Sequence, residues 1–275
     1  MLKSFFLGLI ILLTAQISFA QSKDNDRFEW SAQYKFYFKT DSMQSQPNSE
    51  YMLLMFNQQI SGFRSVSRFL LDSIRKTSNY KERPQSERVA IGMKYPTNFE
   101  EYIFTDLNKG QVTVTTVANL SVPTSPQYTE FVSPKWQIKN QTKRINNISC
   151  TRAETVLFGR KWIAWYANDY TFPFGPYKFY GLPGLIIEIA DATGSYRYEL
   201  VKFKKEQIIY PRVPVDNVLK VSKAKCLELF RTGKYTTAMF KNVQIEGRGP
   251  EYFKRMQDGM DKKRKRDNNP IELQP

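Results

Sequence analysis

The chain predicts a mainly β fold with a few helices: a curved antiparallel sheet or open half-barrel packed on helices. Three observations carry this. Residues 29–39 alternate cleanly, with Trp30, Ala32, Tyr34, Phe36 and Phe38 on one face and Ser31, Gln33, Lys35, Tyr37 and Lys39 on the other. That is the period of a half-buried strand. Two hairpins follow from turn chemistry. Asn108-Lys109-Gly110 joins Tyr102-Ile103-Phe104 to the β-branched run 112–117, and Asp191-Ala192-Thr193-Gly194 returns the apolar run 185–190 into 195–203. The clearest helix signals fall in the last third, where Ser222 is a cap and Pro250 a start.

The remaining elements follow in order. Residues 41–49 are a polar, Pro-containing loop, and 51–56 form a continuous apolar run whose length favours a strand. Residues 61–75 are ambiguous, with Phe63, Val66, Phe69 and Leu70 loosely on helical spacing, and 77–87 read as a charged, exposed loop. Pro123, Pro126 and Pro134 mark 120–134 as a surface loop or an edge, and 136–140 suits a short strand. Residues 148–158 read as a strand, Gly159-Arg160 as a turn, and 162–167 as a second, aromatic strand. Residues 168–184 have no regular period and exceed the ~12–15 residues usual for a structureless loop. This loop is expected to be fixed and partly buried, feeding the strand behind it. A helix from Ser222 through Phe230 stops at Gly233, and a second begins at Pro250 with Phe253, Met256 and Met260 on one side.

Met1-Leu2-Lys3, the apolar run from Phe5 to Leu13, and Ser18-Phe19-Ala20 are the three parts of a secretory leader, with cleavage expected after Ala20. The apolar run is shorter than the ~20 residues a spanning helix needs. Gln21 rather than Cys follows the cleavage site, which disfavours the bacterial lipoprotein form of export. Residues 21–275 read as a single domain, since no low-complexity linker or repeat divides them, with a basic tail over 262–275. The expected location is the periplasm or the periphery of the outer membrane.

The formal net charge is +15, one less once Lys3 leaves with the leader. In an exported protein the natural counterpart is an anionic membrane surface or an acidic partner, not nucleic acid. The chain contains no histidine, which removes Ser-His-Asp and Cys-His catalysis and His-based zinc sites. No catalytic motif or cofactor signature stands out, so a non-enzymatic role is preferred and no cofactor is expected. The compartment permits a bridge between Cys150 and Cys226, and two buried free thiols are the alternative.

The candidate ligand or partner surface comprises Arg160, Trp162, Trp165, Tyr177, Phe179, Tyr180 and Glu188. Arg160 with the two tryptophans could form a cationic–aromatic groove, or a strand with inward or rim rings and a snorkelling arginine. The aromatics of 168–184 could be a binding surface, or could cap the sheet. Glu188 and Asp191 stand three apart in a strand and so face opposite ways, which excludes a catalytic pair. Asp191 reads as a turn residue. Glu188 lies on a wet face or pairs with a base such as Arg160 or Lys178. The run Lys262, Lys263, Arg264, Lys265 and Arg266 is a solvated helix end or an attachment point for an anionic membrane.

Gly181-Leu182-Pro183-Gly184-Leu185-Ile186 resembles the hexapeptide of the GLPGLI family of exported proteins from Bacteroidota. Around it stand Cys150, the 160–166 stretch, Gly175-Pro176, Lys178-Phe179, Asp191 and Tyr196, while Asn269-Pro270-Ile271-Glu272 is similar to the family's C-terminal signature. Together these span about half of the chain. Tyr170-Thr171-Phe172-Pro173 departs from the pattern, where relatives carry a smaller aliphatic–Pro element, and is given no role. The resemblance implies export but no activity. The expected function is binding of an apolar ligand or a membrane-protein partner. An enzyme using carboxylate or lysine chemistry and a structural accessory of an outer-membrane complex are the alternatives.

Overall fold

The structure is a computed structural model that describes residues 25–116, 124–213, 215, 217–237 and 249–274. The expected leader and its cleavage site lie outside the described residues. The first elements in chain order are β1 (Asn25–Phe38), β2 (Asn48–Phe56), β3 (Ile60–Ser65), α1 (Val66–Arg75) and α2 (Gln85–Met93). Seven strands follow: β4 (Glu101–Asp106), β5 (Gln111–Thr116), β6 (Ser125–Phe131), β7 (Gln137–Ile145), β8 (Ile148–Leu157), β9 (Arg160–Ala167) and β10 (Ile186–Asp191). The last are β11 (Tyr196–Pro211), β12 (Val218–Lys220), α3 (Lys223–Lys234) and α4 (Pro250–Arg266).

The fold is mostly β, with four short helices among the described residues. Among the described residues all twelve strands belong to one sheet, in the order β12-β6-β5-β4-β3-β2-β1-β11-β10-β9-β8-β7. The sheet is open: β12 and β7 are its edges and do not pair with each other. Neighbours run antiparallel, except that β12 lies parallel to β6. Both expected hairpins form, β4–β5 and β10–β11. β11 runs well past Phe203 because it pairs with β1 along nearly the whole of both strands.

The ambiguous segment 61–75 divides in two. β3 pairs with β2 and β4, and the Ser65 hydroxyl then caps α1 by accepting from the Arg68 backbone N–H at 3.4 Å. β6 occupies the Pro-rich stretch expected as a loop or edge. Pro126, which has no N–H for a ladder, stands opposite Leu219 of the three-residue strand β12. α2 begins inside the segment expected as a loop. The β8–β9 turn is Phe158-Gly159, with φ of 52° and 79°, so Arg160 is the first strand residue and not part of the turn. α3 runs one residue past Gly233, and Ser222 Oγ accepts from the Lys225 backbone N–H at 3.3 Å as its cap.

Two apolar cores form on opposite faces. Along β4, Ile103 enters the larger core, while Tyr102 and Phe104 enter the smaller one, as period two requires. The smaller core also takes Phe28, Met55 and Tyr210, with Phe69 of α1 packed against it. The irregular pairing between Phe28 and Trp30 explains how β1 serves both cores. The larger core runs from β1 to β6 and from β8 to β11, and its stacked pair Phe36–Tyr198 has ring centroids 4.2 Å apart. α1 contacts β2 and β3, and α3 contacts β6. The rings of the larger core are covered by the 168–184 segment.

Candidate functional site

That segment is held by backbone and rings together. The Gly181 N–H donates to the Pro173 carbonyl at 2.9 Å, and its φ of +92° is a conformation that side chains other than glycine resist. Leu182 and Leu185 are buried, and the Leu185 N–H donates to Tyr170 O at 2.8 Å. The Ile186 carbonyl accepts from the Tyr34 hydroxyl at 2.7 Å. Phe172 packs on Trp30 and Phe56 with centroids 5.0 and 5.1 Å away, Tyr177 on Phe99 at 6.3 Å, and Phe179 on Trp162 at 4.7 Å. Each such ring contributes about 1.5–3 kcal/mol by burial. The GLPGLI-like stretch is therefore a structural strap.

The strap carries a buried lysine. Lys178 is 1% exposed, and its ammonium donates to Tyr128 Oη at 3.0 Å, to Glu272 Oε1 at 2.6 Å and to Glu130. Three donors meet three acceptors, so the ammonium is saturated. Lys223 bridges the same two carboxylates at 2.9 and 2.7 Å, and the Tyr177 hydroxyl donates to Glu272. Burial alone would raise the Glu272 pKa, but Lys178 and Lys223 overcome it and hold the carboxyl below its ordinary value.

Glu272 belongs to a tail that crosses the ends of several strands, and Arg160 clamps this tail. Its guanidinium reaches Asp191 at 2.9 Å, the Pro270 carbonyl at 2.6 Å and the Ile271 carbonyl at 3.1 Å, and it also bonds Asn269. Asn269 ties back to the Lys39 carbonyl at 2.7 Å through its amide and to Thr40 O at 2.9 Å through its backbone. The stretch 269–272 is thus the partner of the strap and of Arg160.

Between the sheet and the α3–α4–tail segment lies a cavity of about 1220 Å³. Phe36, Ile103 and Val114 of the large core form part of its wall, and Leu227 and Phe230 face them from α3. Glu101 lines the same space from the first position of β4, sharing parity with Ile103. No neighbouring side chain among the described residues bonds its carboxyl. Burial pushes its pKa up to about 7; its own backbone N–H opposes this, Glu100 adds to it, and Lys234 and Lys178 offset part. Glu50, another carboxylate of the wall, accepts from Thr97 and from the Asn98 N–H at 3.0 Å.

No protein-family model matches the chain, and no curated protein matches it. Among solved structures it is similar to PNGF-II. One crystal form matches at a TM-score of 0.53 and 13% identity, covering 75% of this chain and 34% of that one. A second form matches at 0.50 and 13%, covering 75% and 33%. The chain therefore spans about a third of the length of PNGF-II, and at this identity the likeness shows the fold alone.

The surface expected from the sequence does not assemble. Trp162 is 1% exposed on the core face, while Trp165 lies on the opposite face with the Lys143 ammonium 4.4 Å from its ring centroid. An odd spacing in a strand separates them, so no cationic–aromatic groove forms. Arg160 is buried in its clamp rather than snorkelling. Tyr177 and Phe179 are inside, and Tyr180 is half-buried with its hydroxyl on Val132 O and its carbonyl accepting from Trp136 Nε1 at 2.8 Å. Glu188 pairs with neither Arg160 nor Lys178 but with Lys143 at 2.9 Å. Asp191 is more than a turn residue: besides Arg160 it accepts from the Tyr196 N–H at 2.8 Å. Lys262 to Arg266 are exposed in the last turns of α4.

The cysteines are not bridged. Cys150 lies buried in β8 and Cys226 buried in α3, the latter with its sulfur 3.7 Å from Thr116 Oγ1. Burial raises the Cys150 thiol to about 11 and raises Cys226 as well. Unreduced native protein should react slowly with an aromatic disulfide reagent, and the same protein in denaturant should release two thiol equivalents. A denatured titre of zero would mean a disulfide is present.

Proposed function

We propose that the protein is an exported, non-enzymatic binding protein of the GLPGLI kind, which holds an apolar or amphipathic small molecule in the cavity between sheet and tail. The cavity carries this reading. Its volume is ample beside the roughly 300–1,000 Å³ usual for small-molecule sites, and part of its wall is the larger core itself. Helices α3 and α4 act in this reading as a second layer over the sheet. The open sheet bends around the strap, which is supported by Lys178 reaching β6 while Phe179 meets Trp162 of β9. The leader-like N-terminus supports export to the periplasm or the outer-membrane periphery, and the exposed basic end of α4 suits an anionic membrane surface.

One observation favours an enzyme as the second reading: Glu101, with a pKa of about 7, lies in the range of a general acid–base. Binding is preferred because the groups that could join it are committed, Lys178 to Glu130, Glu272 and Tyr128, and Glu50 to Thr97 and Asn98.

Native mass spectrometry of the protein purified from its own cell envelope tests the proposal. The expected result is a bound small molecule, lost in Leu227→Trp, which adds bulk at a residue that lines the cavity and is 39% exposed. An empty protein that instead brings down an envelope protein would overturn the carrier reading in favour of the accessory one.

A further inference from the structure

We propose that Glu101 is the head-group acceptor of the cavity and that the ligand is an amphipathic amine, its protonated nitrogen at the Glu101 carboxylate and its apolar body against Phe36, Ile103 and Val114. This rests on the binding reading above and adds the chemical class of the ligand.

Three observations carry it. Glu101 takes an inward position on β4, where the parity of Ile103 calls for an apolar residue, and no side chain pairs with it. Glu101 is half-buried at the cavity wall, so its carboxyl is open to a partner that enters the cavity. The lysines that act on it are engaged elsewhere: Lys178 with Glu130 and Glu272, and Lys234 with Asp267 at 3.2 Å. Lys178, Lys223, Glu130 and Glu272 balance one another in charge, so neither lysine of that cluster is left over for Glu101. Finally, Phe36, Phe99, Tyr128 and Tyr177 line the same space and offer aromatic surface to the apolar body of such a ligand.

An acidic head would meet repulsion from Glu101, and an alcohol would form only a neutral-donor bond. An ammonium supplies both charge and donors. The groups acting on or near Glu101 are Glu100 beside it, Glu50 on β2, Tyr128 on β6, Tyr198 on β11, Lys178 on the strap, and Cys226 and Lys234 on α3. Of these, Glu101 has the shifted pKa that lies nearest neutrality.

Dodecylamine, dodecanol and laurate, titrated calorimetrically into the full chain, test the assignment. Dodecylamine should bind about tenfold or more tighter than dodecanol, as a charge-assisted hydrogen bond requires, with laurate weakest. Its affinity should rise as pH rises through about 7, where Glu101 loses its proton. In buffers of different ionisation heat near pH 7, binding should release about half a proton per amine, because the ammonium lowers the pKa of the carboxyl. Glu101→Gln should bring dodecylamine down to the level of dodecanol. Laurate or dodecanol binding as tightly as the amine, or an amine preference that survives Glu101→Gln, would overturn the assignment. Proton release is read in the unaltered protein, so the test stands even if the variant misfolds. If dodecanol binds and the amine has no advantage, only the head-group assignment fails. If none of the three binds, the binding reading fails with it.

Discussion

Gly184→Ala is expected to destabilise the fold severely. A Cβ placed on Gly184 would lie 1.8 Å from the Ala167 carbonyl oxygen and 3.2 Å from Tyr166 Cδ2. The first contact is with backbone, so no rotamer change relieves it. The chain has to separate where the Ala167 N–H donates to Leu185 O at 2.8 Å and the Leu185 N–H donates to Tyr170 O at 2.8 Å. Those bonds join the strap to β9 and set the start of β10. Overpacking a rigid core costs about 1–3 kcal/mol, and each backbone bond lost costs about 1 kcal/mol more. The sum is a large part of the ~5–15 kcal/mol that holds a domain together. Thermal melting by circular dichroism, with soluble yield, checks this. Gly259→Ala is the contrast: it lies inside α4 with nothing within 4 Å of an added Cβ, and it should stabilise by about 0.5–1 kcal/mol. A Gly184→Ala protein that melts like the wild type would show that the strap is not anchored there.

The strap was legible because its constraints are local. Its glycines and prolines punctuate the chain within a few residues, and the strand behind it is a continuous apolar run. The hairpin turns, the Ser222 cap and the Pro250 start were legible for the same reason. β6 was not, since prolines in and around it hide a strand that β5 pairs on one side and that β12, almost a hundred residues on, pairs on the other. The site was the least legible part. Phe36, Glu101, Cys226 and Glu272 meet only through topology, and nothing in their spacing announces it. One signal was available: Glu101 shares parity with Ile103 in a strand that serves two cores. Period two, applied to Glu188 and Asp191, would also have separated Trp162 from Trp165. Arg160 read as a groove or snorkelling cation and Lys178 as a base for Glu188, whereas the saturation of both depends on a tail some ninety to one hundred and ten residues away in sequence.

Lys178→Met and Glu272→Gln should each cost about 3 kcal/mol at neutral pH in urea unfolding, because each leaves the balanced cluster of Lys178, Lys223, Glu130 and Glu272 with one unmatched charge. The double variant should cost clearly less than the two together, as expected for groups in one network. Additive losses would show that the two do not act on each other. Acid supplies an independent check. The folded-state pKa of Glu272 is depressed, so its stabilisation is fully present above the unfolded value of about 4.3 and is lost as pH falls through the lower folded value. Glu101 runs the other way: its raised pKa makes the folded state hold a proton longer, so its contribution to stability declines as pH rises from about 4.3 to about 7. Glu272→Gln should flatten the acid limb and leave the neutral limb in place. The same substitution loosens a wall of the cavity, since Pro270, Ile271 and Glu272 line it. Ligand affinity should therefore fall with tail docking, even though the Glu101 carboxyl is unchanged. A variant that loses stability but keeps full affinity would separate the tail from the ligand site.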